Sequence, residues 1–178
     1  MAATESQIMT NVIAAAPPAL TTVGEKHARQ RVDICRVASD ISVDGAGHLY
    51  RLTKLRAHDR VTSIKYISET TMGGTDDMNI GIWTPSNGTD DPVVIDADGL
   101  VDGYDIDTAV AIPTEMLGTG AGSGGVDDFG KALWTYCPAG PASEPEPGTE
   151  YEIVLQSVGD PITADSNMVF IIEYTAGD

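Results

Sequence analysis

The sequence predicts an all-β fold, an antiparallel β-sandwich that is jelly-roll-like, carrying an extended N-terminal arm. Three observations predict it. Eight or nine short segments alternate apolar and polar residues with the period of a strand. Gly, Pro, Asn and Asp turn residues separate them at spacings of roughly 8 to 20 residues. No long amphipathic helical pattern interrupts them. A Cys…Trp…Cys spacing is missing, which favours a jelly roll over an immunoglobulin-like sandwich. At 178 residues, 42% of them hydrophobic, the chain suits one core and is too short to divide into two stable ones.

Residues 1–31 read as the arm and residues 32–178 as the sandwich. In the arm, Ile8, Met9, Val12 and Ile13 are spaced to share one side of a short helix, which Pro17 and Pro18 end; Leu20 to Gly24 reads as extended chain. A helix this short is marginal in water, so the arm is expected to gain order by lying on a neighbour.

The first strand is expected at Val32–Val37, followed by an Asp44-Gly45 turn and a second strand at Leu49–Leu55. Val61–Ile67 and Met78–Trp83 alternate cleanly, with a glycine-containing break between them. A short strand at Val93–Ile95 precedes two Asp-Gly pairs, Asp98-Gly99 and Asp102-Gly103, whose chemistry is that of turns. Tyr104, Ile106, Thr108, Val110 and Ile112 then form the cleanest period-two run of the chain. Lys131–Cys137, Tyr151–Leu155 and Met168–Tyr174 complete the set, with a glycine-rich loop at Gly118–Gly125 and a proline-stiffened one at Pro138–Gly148.

Charge divides the chain in two. Nine of its ten basic residues fall between Lys26 and Lys65, and from Tyr66 onward a single lysine, Lys131, faces 21 acidic residues; the whole carries a net charge of −17. Such an imbalance speaks about partners and solubility rather than fold. It disfavours nucleic acid, which needs a positive field over many phosphates. No segment approaches the about 20 apolar residues that span a bilayer, and the first 20 residues lack the positive start of a secretory signal. Membrane association is therefore not expected, and assembly in a cytosol is. Cys35 and Cys137 are too few and too far apart for a disulfide framework and read as two buried free thiols.

No catalytic constellation emerges, so the chain is not expected to be an enzyme and no cofactor is implied. The glycines at Gly118–Gly125 lack the strand before, the helix after and the Gly-Lys-Ser/Thr ending of phosphate loops, and Asp127 and Asp128 follow where phosphate would sit. Asp96, Asp98, Asp102, Asp105 and Asp107 form an acidic stretch with the density of oxygen ligands that suits Ca²⁺. Their spacing misses the EF-hand pattern, and a turn-rich acidic loop explains them as well. Asp76 and Asp77, Asp90 and Asp91, and Asp127 and Asp128 would suit acid–base work only if two faced each other in a cleft. His27, His48 and His58 show no zinc-site spacing. Trp83, Tyr104, Trp134 and Tyr136 suit either a sugar-binding platform or, more simply, the core.

The organisation of residues 50–178 resembles the small auxiliary head proteins of tailed bacteriophages, the cement or decoration proteins of assembled capsids. The resemblance lies in Leu52 and Leu55 leading to Arg60-Val61 and Ser63-Ile64-Lys65-Tyr66, in the Asn79-Ile80-Gly81-Ile82 alternation within Met78–Trp83, in the Asp98–Asp107 turn, and in Ile162-Thr163-Ala164 before the final Met168–Tyr174 strand. It implies a jelly-roll or related sandwich, often a homotrimer, that binds the outside of an icosahedral phage shell and bridges capsomers. Its implied partners are the major capsid protein and itself, and its implied location is the capsid surface. On that view the capsid- or subunit-contacting residues are Ile8, Met9, Val12, Ile13 and Leu20 of the arm with Arg29, Arg31, Arg36, Arg51, Lys54 and Arg56. The alternative is a carbohydrate-binding or fibre-tip module in which Trp83, Trp134 and the Asp96–Asp107 stretch form a Ca²⁺-assisted sugar site.

Overall fold

A computed structural model of the protein describes residues 29–38, 47–71, 77–85, 92–106, 109–118, 130–136, 145–146, 148–158 and 167–177. Eight strands are β1 (Gln30–Ala38), β2 (Leu49–Arg56), β3 (Arg60–Ser68), β4 (Asp77–Trp83), β5 (Val94–Asp105), β6 (Thr114–Glu115), β7 (Glu150–Val158) and β8 (Asn167–Thr175). They form two four-stranded sheets, ordered β1-β8-β3-β6 and β2-β7-β4-β5, and every pairing is antiparallel. The pairs are nested: first with last, second with seventh, third with sixth, fourth with fifth. This is a long hairpin rolled over itself into two sheets, the jelly roll that the sequence predicts.

Alternation places the core between the sheets. Along β8, Met168, Phe170, Ile172 and Tyr174 are buried and the residues between them only partly so. They meet Ile64 and Tyr66 of β3, Met78, Ile80 and Ile82 of β4, and Ile153 and Leu155 of β7 in one continuous cluster. Tyr66 stacks at a tilt on Phe170, 5.3 Å between ring centres. β7, central in its sheet, is buried from Tyr151 to Leu155 on both faces. Its outward residues Glu152 and Val154 lie opposite Trp83 and Gly81 of β4, and Trp83 is itself buried.

Three expectations change. The Asp-Gly pairs at 98–99 and 102–103 make no hairpin turns, since β5 runs through both. Against seven residues of β4 it spends twelve, and its register slips three times. The turn chemistry is used for bulges: Gly103 takes φ +60° and its N–H donates to Asn79 Oδ1 at 2.8 Å. The extra residues arch over the sheet, and a Cβ on Gly81 would sit 2.1 Å from the Asp96 carbonyl oxygen. Second, the strand expected over Tyr104–Ile112 stops at Asp105. Val110 exchanges hydrogen bonds with Ser68, but Pro113 has no N–H to extend a ladder, and only Thr114–Glu115 pairs with β3. Third, Leu133–Tyr136 is a 3-10 turn. The Thr135 N–H and hydroxyl both donate to the Ala132 carbonyl, which drives Leu133 into the core.

The β2–β3 turn anchors neighbouring segments. Asp59 is buried and accepts from the Arg56 and Gly177 N–H groups, each at 2.9 Å. Its carbonyl accepts from Leu133 N–H and that of Ala57 from Trp134 N–H, both at 3.0 Å.

Candidate interaction surface

Nested pairing turns the charge division of the sequence into a division in space. β1 and β2 are the outermost strands of their sheets on one side, joined where Thr53 Oγ1 donates to Asp33 Oδ2 at 2.7 Å. β5 and β6 are outermost on the other side, joined where Gly118 N–H donates to the Leu100 carbonyl at 3.1 Å. The first edge therefore carries Arg29, Arg31, Arg36, Arg51, Lys54 and Arg56, all exposed, with Asp33 the one acid of its two strands. The opposite edge carries Asp96, Asp98, Asp102, Asp105 and Glu115 and no base.

The basic residues differ in what they already hold. Glu152, with a side chain only 2% exposed, receives Arg51 Nε at 3.5 Å and Lys54 Nζ at 3.4 Å from the edge strand beside it. A buried carboxylate needs such compensation, which these two cations give Glu152 while staying about half exposed. Arg31 stands opposite Tyr174 of β8 in the ladder. Arg36 borders a surface hollow with Glu69, Asn167 and Val169. Lys65, expected to belong to the basic stretch, faces outward on β3, where it donates to Glu173 Oε1 at 2.6 Å; this hydrogen bond, before the attraction of Glu173 and Glu115, holds its pKa above the usual lysine value. Arg60 Nη1 donates to the Gly130 carbonyl at 2.8 Å. The arm positions Ile8, Met9, Val12, Ile13 and Leu20 lie outside the described residues, as does Cys137.

Sequence reasoning did not single out the apolar groups beside these charges. Val32 and Ile34, 52% and 63% exposed, face outward on β1 next to Arg31 and Arg36. Their neighbours across the ladder are Glu173 and Ile171. The register of β1 against β8 runs through nine pairs without a shift, so among the described residues the strand presents a regular edge. The same alternation that predicted β1 contained this signal, because both faces of Val32–Val37 carry apolar residues.

Among the described residues, which do not include Asp107, the sugar-site geometry of the alternative reading does not form. Trp83 is 7% exposed and presents no ring face, its Nε1 buried without a hydrogen-bond partner among the described residues. Trp134 packs against the core. The acidic stretch is a bulged strand rather than a loop, and among the described residues no group of three His, Cys, Asp or Glu side chains is placed to hold a metal ion. Burial, and then a hydrogen bond shared with Asp98, raises the pKa of Asp96. Cys35 is a free, half-buried thiol, pushed up to about 11 by burial and the nearby Asp33 charge, which makes it a poor nucleophile.

No protein-family model matches the sequence, and no curated protein matches it. In structure the chain is similar to one in the capsid of Ralstonia phage GP4, with a TM-score of 0.54 and 16% identity over 86% of this chain and 88% of that one. It is also similar to a chain of the cyanophage Pam1 capsid asymmetric unit, with a TM-score of 0.51 and 11% identity over 91% of this chain and 96% of that one. At these identities the likeness is one of fold.

Proposed function

We propose that the protein is a non-enzymatic structural component of a phage particle, a cement or decoration protein that binds the outside of the icosahedral shell and bridges capsomers. The observation that carries this reading is the nested eight-strand jelly roll, which spans most of its length in common with chains of two phage capsids. Its partners on this reading are the major capsid protein and further copies of itself. The contacting elements are the arm, through Ile8, Met9, Val12, Ile13 and Leu20, and the basic edge, through Arg29, Arg31, Arg36, Arg51, Lys54 and Arg56. Each copy need bury only about 800 Å² per partner, because many copies engaged at once multiply a modest affinity.

The test is co-sedimentation of the purified full-length protein with undecorated capsids of the phage that encodes it. Saturation at a fixed number of copies per shell, with a higher temperature of shell disruption, is expected. Capsids that pellet without it, at protein concentrations in the tens of micromolar, overturn the reading. Removal of residues 1–24 is expected to abolish binding while leaving the sandwich folded.

A further inference from the structure

We infer that the basic β1/β2 edge of one copy docks on the acidic β5/β6 edge of a second copy, so that the protein associates head to tail. This goes beyond the shell-binding reading and is tested without any capsid.

Two independent features of the edges match. The first is charge. β1 and β2 hold four arginines and a lysine against the single Asp33, whereas β5 holds four aspartates and no cation; Glu115 of β6 already accepts from Ser63 Oγ and the Ile64 and Leu117 N–H groups. Asp77 and Asp105 lie directly opposite each other in the ladder, both exposed, and add to the negative charge of that side. The second is apolar exposure. Of the exposed large hydrophobic residues described, Val32 and Ile34 lie on β1; Val93 and Val94 lie at the start of β5, and Ile112 lies two residues before β6. Val158 alone lies elsewhere. Each edge thus carries exposed apolar residues as well as charge mainly of one sign, and the signs are opposite.

The area is sufficient. A nine-residue strand is about 30 Å long, and two sheets about 10 Å apart with their outer side chains make an edge about 20 Å deep, giving about 600 Å², close to one side of a standard interface. A self-complementary two-fold contact would instead bring β1 arginines against β1 arginines. A contact between unlike edges is heterologous, and it closes into a ring where the rotation between neighbours allows.

The experiment is light scattering of the full-length protein with two charge reversals, Arg31→Glu with Arg36→Glu on β1 and Asp102→Lys with Asp105→Lys on β5. The wild type is expected to be an oligomer that weakens as salt rises. Each reversal alone is expected to weaken association about tenfold or more, since like charges then meet across the contact. All four changes in one chain are expected to restore the wild-type mass. A wild type that is monomeric at tens of micromolar, a reversal that leaves association unchanged, or a quadruple variant that stays dissociated while folded overturns the inference. Where circular dichroism shows a reversal unfolded, Arg31→Gln with Arg36→Gln is measured against the salt series, and an unchanged salt slope overturns it equally.

Discussion

Gly81 is where a single methyl group tests the unusual part of the fold. An added Cβ would lie 2.1 Å from the Asp96 carbonyl oxygen and 2.4 Å from the Ala97 carbonyl carbon and oxygen, against 3.4–4 Å for ordinary contact. The opposing atoms are backbone, so no side chain can rotate away; β5 must move by more than 1 Å or give up its arch. Overpacking costs typically about 1–3 kcal/mol, and with only backbone to yield, Gly81→Ala belongs at about 3 kcal/mol. The better strand propensity of Ala returns about 0.5–1 kcal/mol, leaving a net loss of about 2 kcal/mol or somewhat more. With a urea m-value of about 1–3 kcal/mol/M, the midpoint of unfolding should fall by about 1 M. Gly103→Ala is the control: it meets no atom nearer than Asp77 Oδ2 at 3.9 Å and pays only for its left-handed backbone, about 1 kcal/mol. If Gly81→Ala shifts the midpoint no more than Gly103→Ala, β5 does not cross over Gly81 and the account of its register is wrong.

Replacing Asp59 by Ala leaves the Arg56 and Gly177 N–H groups without an acceptor; at about 1–3 kcal/mol for each unsatisfied buried group, thermal unfolding should show a loss of about 2–6 kcal/mol, and easier proteolysis of the last residues. Arg51→Ala or Lys54→Ala alone should cost under about 1 kcal/mol because the other cation still serves Glu152, whereas the double change strands a buried carboxylate and should cost about 3 kcal/mol or more; additive small effects would refute shared compensation. Burial raises Tyr66 to about 12 and Cys35 to about 11, and raises Tyr104, Tyr136 and Tyr174 as well. Each folded-state pKa lies above its unfolded value, so the contribution is whole below the unfolded pKa and is lost as pH rises through the folded one. Stability should therefore decline from about pH 9 toward 12, with phenolate absorbance from Tyr66 appearing only as the chain unfolds; a denaturation midpoint unchanged up to pH 11 would contradict this.

Strands with strict alternation were legible in the sequence: β3, β4, β7 and β8 follow directly from which residues repeat every second position. Their arrangement into a jelly roll was legible only as a class, because strand order depends on which edges meet. β5 was misread for a physical reason. Asp-Gly favours a positive φ without specifying whether that φ closes a hairpin or a bulge. The choice is made by a contact between strands: Gly81 of β4 has no side chain, and the Asp96 and Ala97 backbone of β5 crosses over it. Tyr104–Ile112 had the right alternation, but β5 ends at Asp105 and Pro113 has no N–H with which to extend a ladder toward β6. The charge division was plain in the sequence; that it becomes two opposed edges follows from the nested pairing, which no local pattern encodes.

That nesting also dictates the order in which the molecule can be made. β8 is the strip that joins β1 to β3, and Gln30 stands opposite Thr175 in the ladder. A chain still emerging from the ribosome holds its first and third strands with nothing between them. Closure of that sheet waits for β8, and such distant pairing is slow. During that wait Cys35 and Val37 of β1, which pack against the core in the finished fold, and the inward face of β3 are exposed to other chains. The long acidic stretch that follows them in sequence, already synthesised by then, gives the unfinished chains a common negative charge and keeps them apart until the last strand arrives.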